Sequence, residues 1–417
     1  MNPKIILPST NQLIDESLKL QITGLKPNQK VKIQAEMQDD VKRTWCSFGI
    51  FTADYQGTID LNTTAPKKGS YSGCDPNGLL WSMQIKESNT PFPPIFLKMT
   101  TQPNKVSFYL LIKDKIKDTR EVHINFTNSD TEQIVVQNLI VGKLFKPKGK
   151  DNLPAVIIVG GSTGGLFWTE QIAALLSNKG YAALALNYFD VQNDNLPNEL
   201  IEIKIEYFKR ALDWLKSKPE IDDSNISIMG ISKGGELSLL FGSFFSKHLT
   251  SIITYVPSSH VFEGISMVEH KTKSSWTYKT TPINFIQYPS NTKFSKNMTP
   301  TDIRKIHDNA LNSATSKQLE SARIPIENIS CPILMISGEK DNTWPSSKMC
   351  RDMMQTLEEH NNPYQSKHLN FSNMGHTFFL PNIPPMIDHP SVMAKNAANA
   401  NRKAWEATLN FLVKHSN

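Results

Sequence analysis

A chain of 417 residues with 39% hydrophobic, 20% charged and 9% aromatic side chains sits in the globular range, which excludes disordered, collagen-like and coiled-coil classes. At about 100–200 residues per domain, the length allows two to four domains, or one large α/β domain with an appendage. The formal net charge of +6 is too modest to indicate a nucleic-acid partner.

From Lys4 to about Gln133 the sequence runs in short stretches that are apolar or alternate in polarity: Leu18–Thr23, Val31–Met37, Ser47–Thr52, Val106–Lys113 and Val122–Phe126. Turn signals such as Pro27-Asn28, Gln56-Gly57, Lys68-Gly69 and Asp75-Pro76-Asn77-Gly78 separate them. Strands at this spacing, with no helical period between them, predict an all-β sandwich over residues 1–135. After the Lys-rich connector Lys146-Pro147-Lys148-Gly149-Lys150 the pattern changes to strands alternating with helices. Predicted strands are Ala155–Val159, Tyr181–Leu186, Ile226–Met229, Ile252–Val256, Ile333–Ser337 and His368–Phe371. Predicted helices are Thr169–Asn178, Leu200–Ser217, Gly234–Phe245, Pro345–Leu357 and Ala394–Val413. The Leu200–Ser217 helix carries one apolar stripe through Ile201, Ile205, Phe208, Leu212 and Leu215. This alternation over residues 136–417 predicts a doubly wound, mainly parallel sheet. The stretch around 258–330 is too long for a loop and is read as a lid-like insertion.

Four features carry chemistry. Gly230-Ile231-Ser232-Lys233-Gly234-Gly235 stands between a predicted strand and a predicted helix. A nucleophile on so sharp an elbow needs small residues two positions away on either side. Alone, such a pattern also fits a glycine-rich turn with a serine cap. The elbow puts the Lys233 backbone N–H at a helix N-terminus, where it can meet a developing oxyanion. Gly160-Gly161-Ser162-Thr163-Gly164-Gly165 follows the Ala155–Val159 strand, and the backbone around Ser162 and Thr163 is expected to give the second oxyanion donor. The loop does not match a dinucleotide or phosphate-binding motif. Asp341 lies just past the Ile333–Ser337 strand, with Glu339 as the spare carboxylate two residues away. His376 follows the last strand, 144 residues after Ser232 and 35 after Asp341. The order Ser, Asp, His is that of the α/β-hydrolase arrangement, and it lifts His376 above nine other histidines. Position and spacing stop at a serine hydrolase or acyltransferase.

On these residues the sequence resembles the acyl-CoA thioesterases grouped with the bile acid-CoA:amino acid N-acyltransferases. The likeness runs over nearly the whole chain: the elbow Gly230–Glu236, Gly164-Gly165-Leu166, Glu206-Tyr207-Phe208, Asp341 with Trp344, Gly375-His376 and, earlier, Gly78-Leu79-Leu80-Trp81. The resemblance implies an Ig-like sandwich ahead of an α/β-hydrolase domain, and an acyl-CoA thioester cleaved to a carboxylic acid and CoA. The family's transferases carry Cys at the elbow; Ser232 forms an oxyester better suited to hydrolysis. The alternatives are an acyl-CoA:amino acid N-acyltransferase, a dienelactone-type carboxylesterase, or a non-catalytic binding protein on the same scaffold. The loop Ser162-Thr163 and the segment Trp276–Ala322 depart from the family pattern.

The remaining expectations are negative or local. Cys46, Cys74, Cys331 and Cys350 form no C-x-x-C pair, so no disulfide framework, metal site or cofactor is expected, and a cytoplasmic location is. No apolar run approaches the ~20 residues of a membrane span, and the first residues do not read as a signal peptide. Residues 1–135 hold 16 basic and 14 acidic side chains, so the positive charge is not a property of the first domain. Residues 269–305 hold seven basic side chains, Lys271, Lys273, Lys279, Lys293, Lys296, Arg304 and Lys305, against Glu269 and Asp302. Lys271 and Lys273 are the candidates to hold the phosphates of coenzyme A, against a plain solvated surface.

Overall fold

The computed structural model describes residues 2–86, 94–266, 271–290, 292 and 298–416. Two compact units divide the chain: one takes 1–128, 379–387 and 393–403, the other 129–378, 388–392 and 404–417.

The first unit is built from strands in two sheets. Lys4–Ile6, Gln21–Thr23 and Ile59–Asp60 form one; Asn11–Leu13, Lys115–Asn125, Asn104–Ile112, Lys30–Gln38, Thr44–Thr52 and Lys68–Gly69, in that order, form the other. Lys30–Gln38 shows why: Val31, Ile33, Ala35 and Met37 are buried and their neighbours are not, the period of a sheet with one covered face. Within residues 1–128 a helical turn departs from the all-β expectation. Gly78–Trp81 is a helical turn with all four residues buried, and the Trp81 indole donates to Asp75. Asp75 in turn accepts two bonds from Arg402.

The second unit holds one eight-stranded sheet: β1 (Thr131–Val136), β2 (Val141–Pro147), β3 (Leu153–Val159), β4 (Ala182–Asn187), β5 (Ile221–Ile231), β6 (Ile252–Tyr255), β7 (Ile333–Gly338) and β8 (Lys367–Phe371). Their spatial order is β1-β2-β4-β3-β5-β6-β7-β8. β2 runs antiparallel to β1 and β4, and every other pair is parallel. β4, β6 and β7 are buried at every position, as parallel strands covered on both faces must be. The helices are α1 (Phe167–Ser177), α2 (Ile205–Lys216), α3 (Lys233–Phe245), α4 (Pro300–Ser313), α5 (Ser316–Ala322), α6 (Ser346–Glu359) and α7 (Ala394–His415), the last counted with the first unit up to Lys403 and with the second from Ala404. This sheet order, with helices following β3, β5 and β7, is the doubly wound α/β-hydrolase fold.

Three boundaries read from sequence shift. The residues 129–135 assigned to the sandwich lie with the second unit, because β1 finds its hydrogen-bond partners on β2. The connector is not a linker up to Pro147: it is the end of β2, with Leu144 and Phe145 buried and Lys146 paired to Glu132 and Glu220. The predicted Leu200–Ser217 helix begins only at Ile205, since Ile203 and Lys204 pair with Trp276 and Thr277 of the inserted segment.

The insertion lies between β6 and β7 and contains α4, α5 and a small strand pair, Trp276–Tyr278 with Thr281–Pro282. It has a core of its own, where Phe262, Ile286, Tyr288, Ala310 and Ala322 cluster with Trp344 and Met349. Lys293, Lys296 and Glu269 of the basic stretch lie outside the described residues.

Candidate active site

Ser232 stands on the turn from β5 into α3 with φ 58° and ψ −122°, a conformation that costs a β-carbon about 1–3 kcal/mol and persists only where neighbours enforce it. The enforcement is visible. A Cβ on Gly230 would stand 2.0 Å from the Gly234 carbonyl oxygen, and one on Gly234 would stand 2.3 Å from that of Gly160. Only glycine fits either position, so the spacing of the two glycines around the serine is a packing requirement of the elbow. Ser232 N–H donates to the Tyr255 carbonyl on β6, 2.9 Å away.

The three sequence candidates meet. His376 Nε2 lies 2.9 Å from Ser232 Oγ, and His376 Nδ1 lies 2.9 Å from both carboxylate oxygens of Asp341. With Nδ1–H donating to Asp341, Nε2 is left to accept the serine proton. Asp341 is 2% exposed, yet well supplied with donors: the N–H groups of Thr343 and Trp344, at 2.9 and 3.2 Å, and the hydroxyl of Ser346. Arg304 of α4 donates to the Asp341 carbonyl at 2.6 Å. Glu339, the spare candidate, is engaged elsewhere, by Arg351 and Asn370. Burial of the His376 ring works against its protonation, but the charge and hydrogen bond of Asp341, with the charge of Asp388, outweigh it and hold the imidazole above its ordinary value. Trp344 covers the ring edge-on at 5.5 Å.

The loop after β3 reaches the nucleophile at Gly161, where a Cβ would stand 3.1 Å from Ser232 Cβ and 3.6 Å from its Oγ. Ser162 and Thr163, the residues named from sequence, follow directly and are exposed. Gly161 was the residue missed, and Tyr188 was another: its buried hydroxyl donates to the Gly160 carbonyl at 2.7 Å and fixes the loop. Beside the loop opens a cavity of about 590 Å³, whose lining includes Ser162, Thr163, Phe189, Leu200, Lys271 and Lys273. Lys271 pairs with Glu199 at 2.9 Å and Lys273 with Glu202 at 2.7 Å.

Lys233 does more than present a backbone amide. Its side chain is buried, with Nζ 2.5 Å from Glu236 Oε1, 3.4 Å from the Phe262 carbonyl and 5.6 Å from the Trp276 ring centre. Glu236 also accepts from the Trp276 indole at 2.8 Å. Burial pushes the lysine down and the glutamate up, and the contact between them opposes both shifts. The signal in the sequence was two opposite charges three residues apart in an otherwise apolar helix start. Among the described residues no group of three or more His, Cys, Asp or Glu side chains is disposed to hold a metal, and no helix is long and apolar enough to cross a membrane.

Fold and site together define an α/β-hydrolase with a serine, histidine and aspartate disposed for nucleophilic chemistry on an acyl group. Comparison narrows the class. The family model for the C-terminal region of BAAT and acyl-CoA thioester hydrolases matches residues 203–417, and that for their N-terminal region matches 15–138. The chain belongs to the acyl-CoA thioester hydrolase/BAAT family. It is 27% identical to acyl-coenzyme A thioesterase 6 of Mus musculus, over 98% of this chain and 96% of that one. Acyl-coenzyme A amino acid N-acyltransferase 1 of the same species is 26% identical, over 99% and 97%. Among solved structures, an alpha/beta hydrolase from Penicillium sp. sh18 is 14% identical with a TM-score of 0.43, over 69% of this chain and 99% of that one.

Proposed function

We propose that the protein hydrolyses acyl-CoA thioesters to a free carboxylic acid and CoA through an acyl ester on Ser232. The observation that carries this is the 2.9 Å contact of Ser232 Oγ with His376 Nε2, backed by Asp341, in a chain of the thioester hydrolase/BAAT family. His376 takes the Ser232 proton as Oγ attacks the thioester carbonyl, and Asp341 holds the tautomer and offsets the imidazolium charge. The oxyanion is met by the Lys233 N–H at the start of α3 and by the backbone around Gly161, Ser162 and Thr163. Collapse expels the CoA thiol, which leaves with the proton from His376. Water, deprotonated by His376, then releases the acid.

The cavity beside the 160–165 loop is where the substrate enters in this reading, with Lys271 and Lys273 exchanging Glu199 and Glu202 for phosphates of CoA. Cell fractionation tests a cytoplasmic placement, since two relatives are named peroxisomal and mitochondrial.

The deciding experiment follows thiol release from a panel of acyl-CoAs with and without glycine or taurine. Free acid as the product, unaffected by the amines, is the expected result. Amide product would move the assignment to N-acyl transfer, and cleavage of simple esters without any thiol release would move it to a carboxylesterase.

A further inference from the structure

His376 meets two carboxylates. Asp341 takes its side chain, and Asp388, twelve residues downstream, takes its backbone. Asp388 Oδ2 accepts the N–H of His376 at 2.6 Å and that of Thr377 at 3.2 Å. Its other oxygen stands 1.8 Å from where a Cβ on residue 375 would be, so the carboxylate can lie there only because that residue is glycine. The Gly375-His376 pair therefore has a physical cause outside the three acting residues. Asp388 is tied in turn to the loop that carries Asp341: Asn342 Nδ2 donates to the Asp388 carbonyl at 3.4 Å and to Thr301 Oγ1 at 2.9 Å.

Asp341 and Asp388 both favour the protonated form of the ring. His307 of α4 faces the same centre, and burial pushes it down to about 4, which leaves it neutral. Arg304 is held by Asp308 and donates to the Asp341 carbonyl. Burial raises Asp388 and so does the charge of Asp341, while His376 draws it down.

We propose that Asp388 is a positioning residue for this reaction: it fixes the His376 loop through two amide hydrogen bonds and supplies a second negative charge to the imidazolium. The proposal rests on the reading of Ser232 and His376 as nucleophile and base, and its test is separable from the choice of substrate.

Asp388→Asn keeps an acceptor oxygen for the two N–H groups and removes the charge; Asp388→Leu removes both. The rate at which a fluorophosphonate modifies Ser232 is measured across pH for wild type and both variants, with kcat and KM on an acyl-CoA and Tm alongside. For Asp388→Asn we expect kcat lower by about 3- to 10-fold, KM within about twofold, and the acid limb moved to lower pH by roughly half a unit, because the ring has lost an anion. Asp388→Leu loses at least a further tenfold or so in the labelling rate of its folded fraction. A wild-type rate and acid limb in Asp388→Asn, or variants that lose Tm alone while the folded fraction reacts as wild type, would overturn the proposal. If the leucine variant does not fold, the asparagine variant decides. Labelling that depends on Asp388 in a protein that releases no thiol would leave this inference standing and remove the thioesterase assignment.

Discussion

The ends of β5, β7 and β8 and the segment inserted between β6 and β7 are built on different rules. At the strand ends the backbone decides: Ser232 is pinned by two glycine contacts and a bond to β6, Asp341 by two amide N–H groups, and His376 by the amide bonds to Asp388. In the insertion the charged residues are held by side-chain pairs, Lys271–Glu199 and Lys273–Glu202, beside a short backbone pairing to Ile203 and Lys204. Backbone positions survive most changes of sequence, whereas side-chain pairs can be exchanged one at a time. The proposed reaction centre thus sits where the sheet dictates geometry, and the proposed CoA-binding lysines where it does not.

If that division is right, the largest effect belongs to the strand ends. Asp341→Asn leaves the loop intact but favours the wrong tautomer of His376, and kcat should fall by about 10⁴-fold with KM little changed. In the wild type, activity should fall as pH drops through a value above that of an ordinary imidazole, since His376 must be neutral to act and is held upward by Asp341 and Asp388 against its burial. An acid limb below the ordinary imidazole range would break the account of the site's electrostatics.

Next comes the buried pair that joins the two regions. Glu236→Gln strands the Lys233 ammonium among Trp276 and the Phe262 carbonyl, and denaturant unfolding should show a loss of about 3–5 kcal/mol. A loss within about 0.5 kcal/mol would mean that the lysine is neutral in the folded chain and that the pair anchors nothing. Gly161→Ala should lower kcat by about tenfold to a hundredfold at unchanged stability, by pressing a methyl group against Ser232. The smallest effect is expected in the insertion. Charge reversal of Lys271 and Lys273 should raise KM for an acyl-CoA by several-fold while leaving a short neutral ester unaffected. Equal effects on both substrates would show that these lysines serve the fold through Glu199 and Glu202.

The same division explains what could be read from the sequence. The strands β3, β4, β6 and β7 were legible because continuous burial leaves continuous apolar runs, and Ser232, Asp341 and His376 because each follows a predicted strand, in the order Ser, Asp, His. β1 and β2 were not, since an edge pair mixes Lys143 and Lys146 with Leu144 and Phe145 and reads as a polar connector. The start of α2 was misplaced because Ile203 pairs with Trp276, 73 residues away, a contact that no local pattern encodes. Gly161 and Asp388 were silent for a related reason, and Lys233–Glu236 left only a pair of opposite charges: their meaning lies in what they approach. Gly375 was noted only as half of a marker, and its cause is a carboxylate from another turn.

The central claim is a covalent one, and acid-quenched peptide mass spectrometry tests it most directly. The protein is mixed with an acyl-CoA, stopped within the first turnover and digested. The account predicts the acyl group as an ester on the peptide bearing Ser232, with one thiol released per chain before steady state and neither in Ser232→Ala. Thiol release at the wild-type rate by Ser232→Ala, or an acyl group carried on a different residue, would contradict it.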